Sequence, residues 1–137
     1  MFFSNYQTGE IGSLIGTHVD SVEAIIMSKT LPICVSAGID LNINIYDLNT
    51  MQIRNKVMPS EYGGYTKLMF SVIDPNMLYA SSTLGEMNLI DVRDGKIIKT
   101  FKGHAAPIND FVEVVPIQAL VTAGDDRSCL VFDLKQL

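Results

Sequence analysis

An internal repeat constrains this chain more than any other feature. The stretch "TAGDDRSCLVFDL", Thr122 to Leu134, slides onto "SAGIDLNINIYDL", Ser36 to Leu48, at a constant offset of 86 residues. Thr122 falls on Ser36, Gly124 on Gly38, Asp126 on Asp40, Phe132 on Tyr46 and Asp133 on Asp47. His18 in "GTH" and His104 in "KGH" keep the same spacing of 86. A weaker third copy, "ASSTLGEMNLIDV" (Ala80 to Val92), lies between them. Its Ile90-Asp91 stands 44 residues after Tyr46-Asp47 and 42 before Phe132-Asp133. A period of this length means one supersecondary unit used several times, each copy burying its faces against its neighbours.

The strand signals predict four strands per unit. In the last unit "INDFVEV" (Ile108 to Val114) is the first strand, Pro116-Ile117-Gln118 turns the chain, "ALVTA" is the second strand and "SCLVFDL" the third. The fourth strand is clearest one unit earlier, as "KIIKTF" (Lys96 to Phe101) after the turn Arg93-Asp94-Gly95. First and second strands are nearly all apolar, as expected where neighbouring sheets cover both faces. Lys96 and Lys99 mark the fourth strand as an outer edge, where charge opposes sheet-to-sheet aggregation. Upstream, "GEIGSLIG" (Gly9 to Gly16) reads as another fourth strand and "FFSNY" as the tail of a third.

Gly124-Asp125-Asp126 raises the question of a metal site, since adjacent carboxylates at a hairpin tip can hold Mg²⁺. The repeat argues against it. Asp126 recurs as Asp40, but the counterpart of Asp125 is Ile39, and no third acidic ligand recurs beside them. The segment is read as a turn, with no metal and no cofactor expected. Catalysis is not expected either. Both histidines have places in the repeat, and no Ser-His-Asp, Cys-His, P-loop or zinc-ligand spacing occurs.

Composition narrows the class further. The chain of 137 residues is 47 % hydrophobic and 18 % charged, which suits sheets buried on both sides, and no apolar run approaches the length of a membrane helix. A net charge of −5 argues against a nucleic-acid partner and is compatible with a basic one. Cys34 and Cys129 read as small core residues in a reducing compartment. No secretory signal is visible at the start, and a cytoplasmic location is expected.

These residues resemble WD-repeat β-propellers. The marks are Gly103-His104, the turn residue Asp126, and Phe132-Asp133 where Trp-Asp usually stands. The resemblance implies an all-β fold, a WD-repeat β-propeller fragment of about three four-stranded antiparallel blades. It also implies hydrogen-bonded tetrads of His, Ser or Thr, Asp and an aromatic residue. One set is His18, Ser36, Asp40 and Tyr46; the other is His104, Thr122, Asp126 and Phe132. Tyr46 can still donate through its hydroxyl, whereas Phe132 cannot. The middle copy has Ala80, Leu84 and Ile90 in these places and is expected to keep the strands and lose the network. The blade boundaries follow as 1–15 (outer strands of a preceding blade), 16–58, 59–101 and 102–137, the last lacking its outer strand. Three blades cannot close a ring. The chain is therefore expected to be the C-terminal part of a longer propeller of seven or eight blades. The alternative is a homodimer in which Gly9–Ile15 of one copy pairs beside Ser128–Asp133 of the other.

"SVEAI", "LPICVSAGIDLNINIYDL", "LIDVRDGKIIKTFKGHAAPINDFV" and "LVTAGDDRSCLVFDL" are similar to the C-terminal blades of the angio-associated migratory cell protein family. Fungal members of that family are dedicated chaperones of large-ribosomal-subunit protein ten. The resemblance implies a non-catalytic ribosome-assembly factor that binds a basic segment of a ribosomal protein. The alternative function is a generic scaffold subunit of a signalling or ubiquitin-ligase complex. In the family's topology the loops at the histidine end share one face. Asp20, Glu61, Glu86 and Asp125 stand there, with Tyr62 and Tyr65 flanking Glu61, and are expected to form the partner-binding surface through charge-assisted pairs and cation–π contacts.

Overall fold

The computed structural model describes residues 2–4, 11–14, 18–57 and 63–135, with side chains from residue 18 onward. Strands β1 (Phe2–Ser4) and β2 (Ile11–Leu14) form an antiparallel pair. Three further sheets follow, each an antiparallel meander. The first contains β3 (Val22–Met27), β4 (Ile33–Gly38), β5 (Ile43–Asp47) and β6 (Gln52–Val57). The second contains β7 (Tyr65–Phe70), β8 (Met77–Ser82), β9 (Glu86–Asp91) and β10 (Lys96–Lys102). The third has β11 (Ile108–Val114), β12 (Ala119–Gly124) and β13 (Cys129–Asp133). A 3-10 turn at Val115–Ile117 joins β11 to β12, where Pro116 is expected to turn the chain. Among the described residues there is no α-helix, and none long and apolar enough to cross a membrane.

The recurring aspartates explain how each third strand ends. Asp47 Oδ1 accepts the Asn49 amide at 2.8 Å, Asp91 Oδ1 the Arg93 amide at 2.9 Å, and Asp133 Oδ1 the Lys135 amide at 2.8 Å. Each carboxylate closes an Asx turn, which accounts for the aspartate in all three copies while the residue before it varies among Tyr46, Ile90 and Phe132. A second recurrence is not visible from residue types. Each inner strand shifts register against the second strand at the same place: Val22/Ala24, Tyr65/Lys67 and Ile108/Asp110. This bulge turns Thr66 toward the next sheet, where its hydroxyl donates to the Ile108 carbonyl at 2.9 Å.

Two seams hold the sheets together. Between the first and second, Ile33, Val35, Ala37, Ile43 and Ile45 pack against Leu78, Ala80, Ile90 and Val92. Between the second and third, Tyr79, Met87, Leu89 and Phe101 meet Ile108, Phe111 and Leu120. Strand β4 is buried along its whole length, as its apolar run predicts. Strand β3 is not: Ile25 and Met27, on the side away from the second sheet, stay exposed, as do Val112 and Val131 of the third sheet. The expectation of buried first strands thus fails at β3, because the next sheet covers only one of its faces. β10 is an outer edge and its lysines are exposed, as their charge predicts. Cys34 is a core residue, whereas Cys129 is exposed on β13, contrary to the reading of both as core residues.

The contact between the second and third sheets at the histidine end depends on one backbone position. Gly85 has φ +82°, and a Cβ there would strike the carbonyl oxygens of His104 and Ala106. Gly95 has φ +74° but faces only side-chain atoms, the nearest 3.3 Å away. Gly85→Ala is expected to destabilise by at least about 2 kcal/mol, since left-handed strain and a backbone clash add. Gly95→Ala is expected to cost only about 1 kcal/mol. Urea melts of the two variants provide the comparison.

Candidate functional site

The loops preceding the first strands and those joining second to third strands lie at one end and touch in succession. The Ile39 amide donates to the Ser21 carbonyl at 3.1 Å, the Thr83 amide to Gly64 at 2.8 Å and the Asp125 amide to Pro107 at 2.9 Å. Two histidine networks hold these loops. In the first sheet, His18 Nδ1 lies 3.0 Å from Asp40 Oδ1 and its Nε2 lies 2.7 Å from Ser36 Oγ. Ser36 Oγ is 3.0 Å from the Tyr46 hydroxyl, which accepts from Asn44 Nδ2 at 3.1 Å. One ordering fits these distances: Asn44 donates to Tyr46, Tyr46 to Ser36, Ser36 to His18 Nε2, and His18 Nδ1–H to Asp40. Asn44 is a fifth member that the tetrad pattern missed. Its signal was a polar residue inside the apolar run "INIYD", matched by Asn88 at the same place in the middle copy.

In the third sheet, His104 Nδ1 lies 3.0 Å from Asp126 Oδ1 and its Nε2 lies 2.7 Å from Thr122 Oγ1. Phe132 adds no hydrogen bond. It packs its ring 5.3 Å from Phe101 across the seam. Ser128 strengthens the carboxylate end instead, its hydroxyl donating to Asp126 Oδ1 at 2.7 Å. Burial pushes the Asp40 carboxyl up, but hydrogen bonds from His18 and the Val19 and Asn42 amides outweigh it and hold it below the usual carboxylate range. The Asp126 carboxyl is held well below that range, first by Ser128, then by the Ala105 amide and His104.

The middle sheet lacks the histidine but not a network. Asn88 Nδ2 donates to the Tyr65 hydroxyl at 3.0 Å, and Thr100 donates to Asn88 Oδ1 at 2.9 Å. This set is not the tetrad, whose places in the middle copy hold Ala80, Leu84 and Ile90, and the residue types did not point to it. The structure corrects the placement of Tyr65 on the binding surface. Tyr65 is 1 % exposed, inside the seam between first and second sheets, and burial pushes its hydroxyl up to about 12 despite the bond from Asn88.

The other expected surface residues divide. Asp20 is exposed at the loop end, its Oδ1 accepting the Ser21 amide. Asp125 is exposed and accepts from Asn109. Glu86 is mostly buried and its Oε1 lies 3.2 Å from Lys102 Nζ, so its charge is compensated. Glu61 and Tyr62 lie outside the described residues. Asp125 and Asp126 turn to different partners, and among the described residues no group of three or more His, Cys, Asp and Glu could hold a metal. The same end carries apolar residues that the charge count passed over: Val19 is 93 % exposed, with Ile39 and Leu84 partly so. Two of them were legible, since Ile39 stands where the last copy has Asp125 and Leu84 where both outer copies have the network aspartate.

Removing a network acceptor leaves a buried histidine nitrogen without its partner. Asp40→Ala is expected to destabilise by about 1–3 kcal/mol. Asp125→Ala is expected to stay within about 0.5 kcal/mol. Equal losses in denaturant melts would contradict the assignment. Because the folded-state values of Asp40 and Asp126 are lowered, their contribution is complete above the unfolded carboxyl value of about 4 and is lost as pH falls through the lowered values. The stability gap between wild type and Asp40→Asn should therefore close as pH falls below about 4, measured by urea melts at pH 7 and pH 3.

No protein-family model matches the sequence. An uncharacterised WD repeat-containing protein of Schizosaccharomyces pombe is 30 % identical over 135 residues, covering 94 % of this chain and 32 % of that protein. Human angio-associated migratory cell protein is 27 % identical over 113 residues, covering 82 % of this chain and 25 % of its own length. The crystal structure of Saccharomyces cerevisiae Sqt1 matches with a TM-score of 0.73 at 28 % identity, over 82 % of this chain and 31 % of Sqt1. The chain thus spans about a third or less of each of these relatives. The stacked meanders and the histidine networks agree with these likenesses: the chain is a run of WD-repeat β-propeller blades that resembles the angio-associated migratory cell protein family.

Proposed function

We propose that this chain is part of a non-catalytic, protein-binding propeller that acts as a ribosome-assembly chaperone, holding a basic segment of a large-subunit ribosomal protein at its histidine end. The observation that carries the reading is the pairing of exposed acids, Asp20 and Asp125, for which the described residues give no ion pair, with the apolar Val19, Ile39 and Leu84 on the same loop end. The family resemblance and the likeness to Sqt1 support it. A basic segment with interspersed apolar residues complements that surface, its charges meeting the aspartates and its side chains covering the exposed valine, isoleucine and leucine. Glu61 and Tyr62 belong to the proposed surface as well. Glu86 contributes less, because Lys102 already neutralises it. Tyr65 contributes only by supporting the fold from within the seam.

The test is titration of purified large-ribosomal-subunit protein ten against the protein. Affinity is expected to fall as salt rises, because exposed pairs are screened beyond ~8 Å at physiological ionic strength. Reversing Asp20 and Asp125 to Lys together should weaken binding at least tenfold, which is about 1.4 kcal/mol. Glu86→Gln should change it less than twofold. Binding unaffected by salt and by the double reversal would place the partner elsewhere.

A further inference from the structure

One buried charge has no counterpart in the repeat. Register places Glu113 opposite Leu120, where the second sheet has Phe70 opposite Leu78 and the first has Met27 opposite Cys34. Two copies thus carry an apolar side chain at this point and the third a carboxylate. Glu113 is 8 % exposed and lies toward the C-terminal end of β11, the end away from the histidine loops. It reaches across the seam into the second sheet. Its Oε1 accepts the Val72 amide at 2.6 Å, and its Oε2 accepts Ser71 Oγ at 2.8 Å and the Tyr79 hydroxyl at 3.0 Å. Burial and the bond to Glu113 both raise the Tyr79 hydroxyl, so it remains a proton donor. Among the described residues no Lys, Arg or His pairs with Glu113.

Beside this carboxylate an open cleft of about 360 Å³ separates the second and third sheets. Met77, Leu89, Ile98 and Leu134 are among its walls, and Asp74 and Glu113 are its charged residues. A carboxylate offers about four acceptor positions. Three are taken by neutral donors, and among the described residues the fourth, on Oε1, has no donor. A desolvated carboxylate held only by neutral donors gains from a cation, and apolar walls suit a methylene stem. A single free position suits a point ammonium better than a two-pronged guanidinium, which needs two parallel acceptors.

We propose that this cleft takes a lysine side chain of a bound protein, with its methylenes against Met77, Leu89 and Ile98 and its ammonium on Glu113. The site is at the other end of the strands from the loop acids and stands independently of the ribosomal-protein reading. Methyl-resolved NMR titration of the full chain tests it, with pentylammonium chloride as the lysine probe and pentanol as its neutral isostere. Pentylammonium is expected to shift the Met77, Leu89, Ile98 and Leu134 methyls saturably and to bind at least tenfold tighter than pentanol. Glu113→Gln should abolish that preference. Ile98→Arg, at an exposed position, should place the chain's own cation over the cleft and weaken pentylammonium at least tenfold without touching Glu113. Should Glu113→Gln fail to fold, Ile98→Arg decides the matter. Equal affinity for the two probes, saturable shifts confined to other methyls, or unchanged binding to Ile98→Arg would each overturn the proposal.

Discussion

The packing of one sheet against the next is the interaction on which the rest of this structure depends. A sheet with apolar residues on both faces gains stability from a neighbour on each side. The seam between first and second sheets shows the scale. Ile33, Ile43, Ile45, Leu78 and Ile90 are all essentially inaccessible, and burying one such side chain stabilises by about 1.5–3 kcal/mol. Ile25 and Met27 on one side of the stack, and Val112 and Val131 on the other, are the same residue types without a facing sheet. Strand propensity makes the individual meanders, but repetition of the seam makes them a fold.

Among the described residues, polar side chains enter these seams in hydrogen-bonded sets. An unpaired amide or hydroxyl there would cost about 1–3 kcal/mol, so the residue types at one end of each sheet are coupled rather than independent. Tyr46 replaces an indole donor, and Asn44 completes the chain by donating to it. Phe132 removes the donor altogether, and Ser128 adds a bond at the carboxylate. The middle sheet builds its set from Tyr65, Asn88 and Thr100 at other points of the same sheet. The three solutions differ in chemistry and agree in one respect, that the buried polar side chains of each set are tied to one another.

How much was legible follows from what recurs. The 86-residue offset paired His18 with His104, Ser36 with Thr122 and Asp40 with Asp126, the family resemblance implied that each set is joined, and β10 followed from its own lysines and the preceding turn. The middle network was illegible because it has no histidine or aspartate and its Tyr65 and Thr100 stand on other strands than Tyr46 and Thr122. Its clue, Asn88 under Asn44, has meaning only once register puts both on one strand position. Tyr65 was misplaced because its neighbours in "SEYGGY" read as loop, whereas β7 begins at Tyr65 and turns its ring inward. Glu113 was hidden for a similar reason. A lone glutamate in "INDFVEV" reads as the solvent face of an alternating strand, and only the lateral neighbour reveals that its face is buried. Burial imposed by the next sheet is a property of the stack, not of any single strand.

The networks also bear on recognition, although neither histidine need touch a partner. Asp40 Oδ2 accepts the Val19 amide at 2.9 Å, and Asp126 Oδ2 accepts the Ala105 amide at 3.0 Å. A buried carboxylate thereby fixes the backbone of the loop just before each inner strand. Val19 is 93 % exposed, yet its main chain is pinned to a side chain that is only 4 % exposed. An apolar group held out in water by a rigid base presents a contact whose ordering entropy is already met by folding, and the partner gains affinity without having to order the loop. The same bonds set the direction in which Asp20, one residue on, leaves the surface. Retention of the histidine networks in the first and third sheets thus links fold stability to the geometry of the loop end proposed for binding. In the middle sheet the Thr83 amide donates to the Gly64 carbonyl at 2.8 Å and the Gly64 amide to Thr83 Oγ1 at 2.9 Å, so a threonine does there what the carboxylates do on either side.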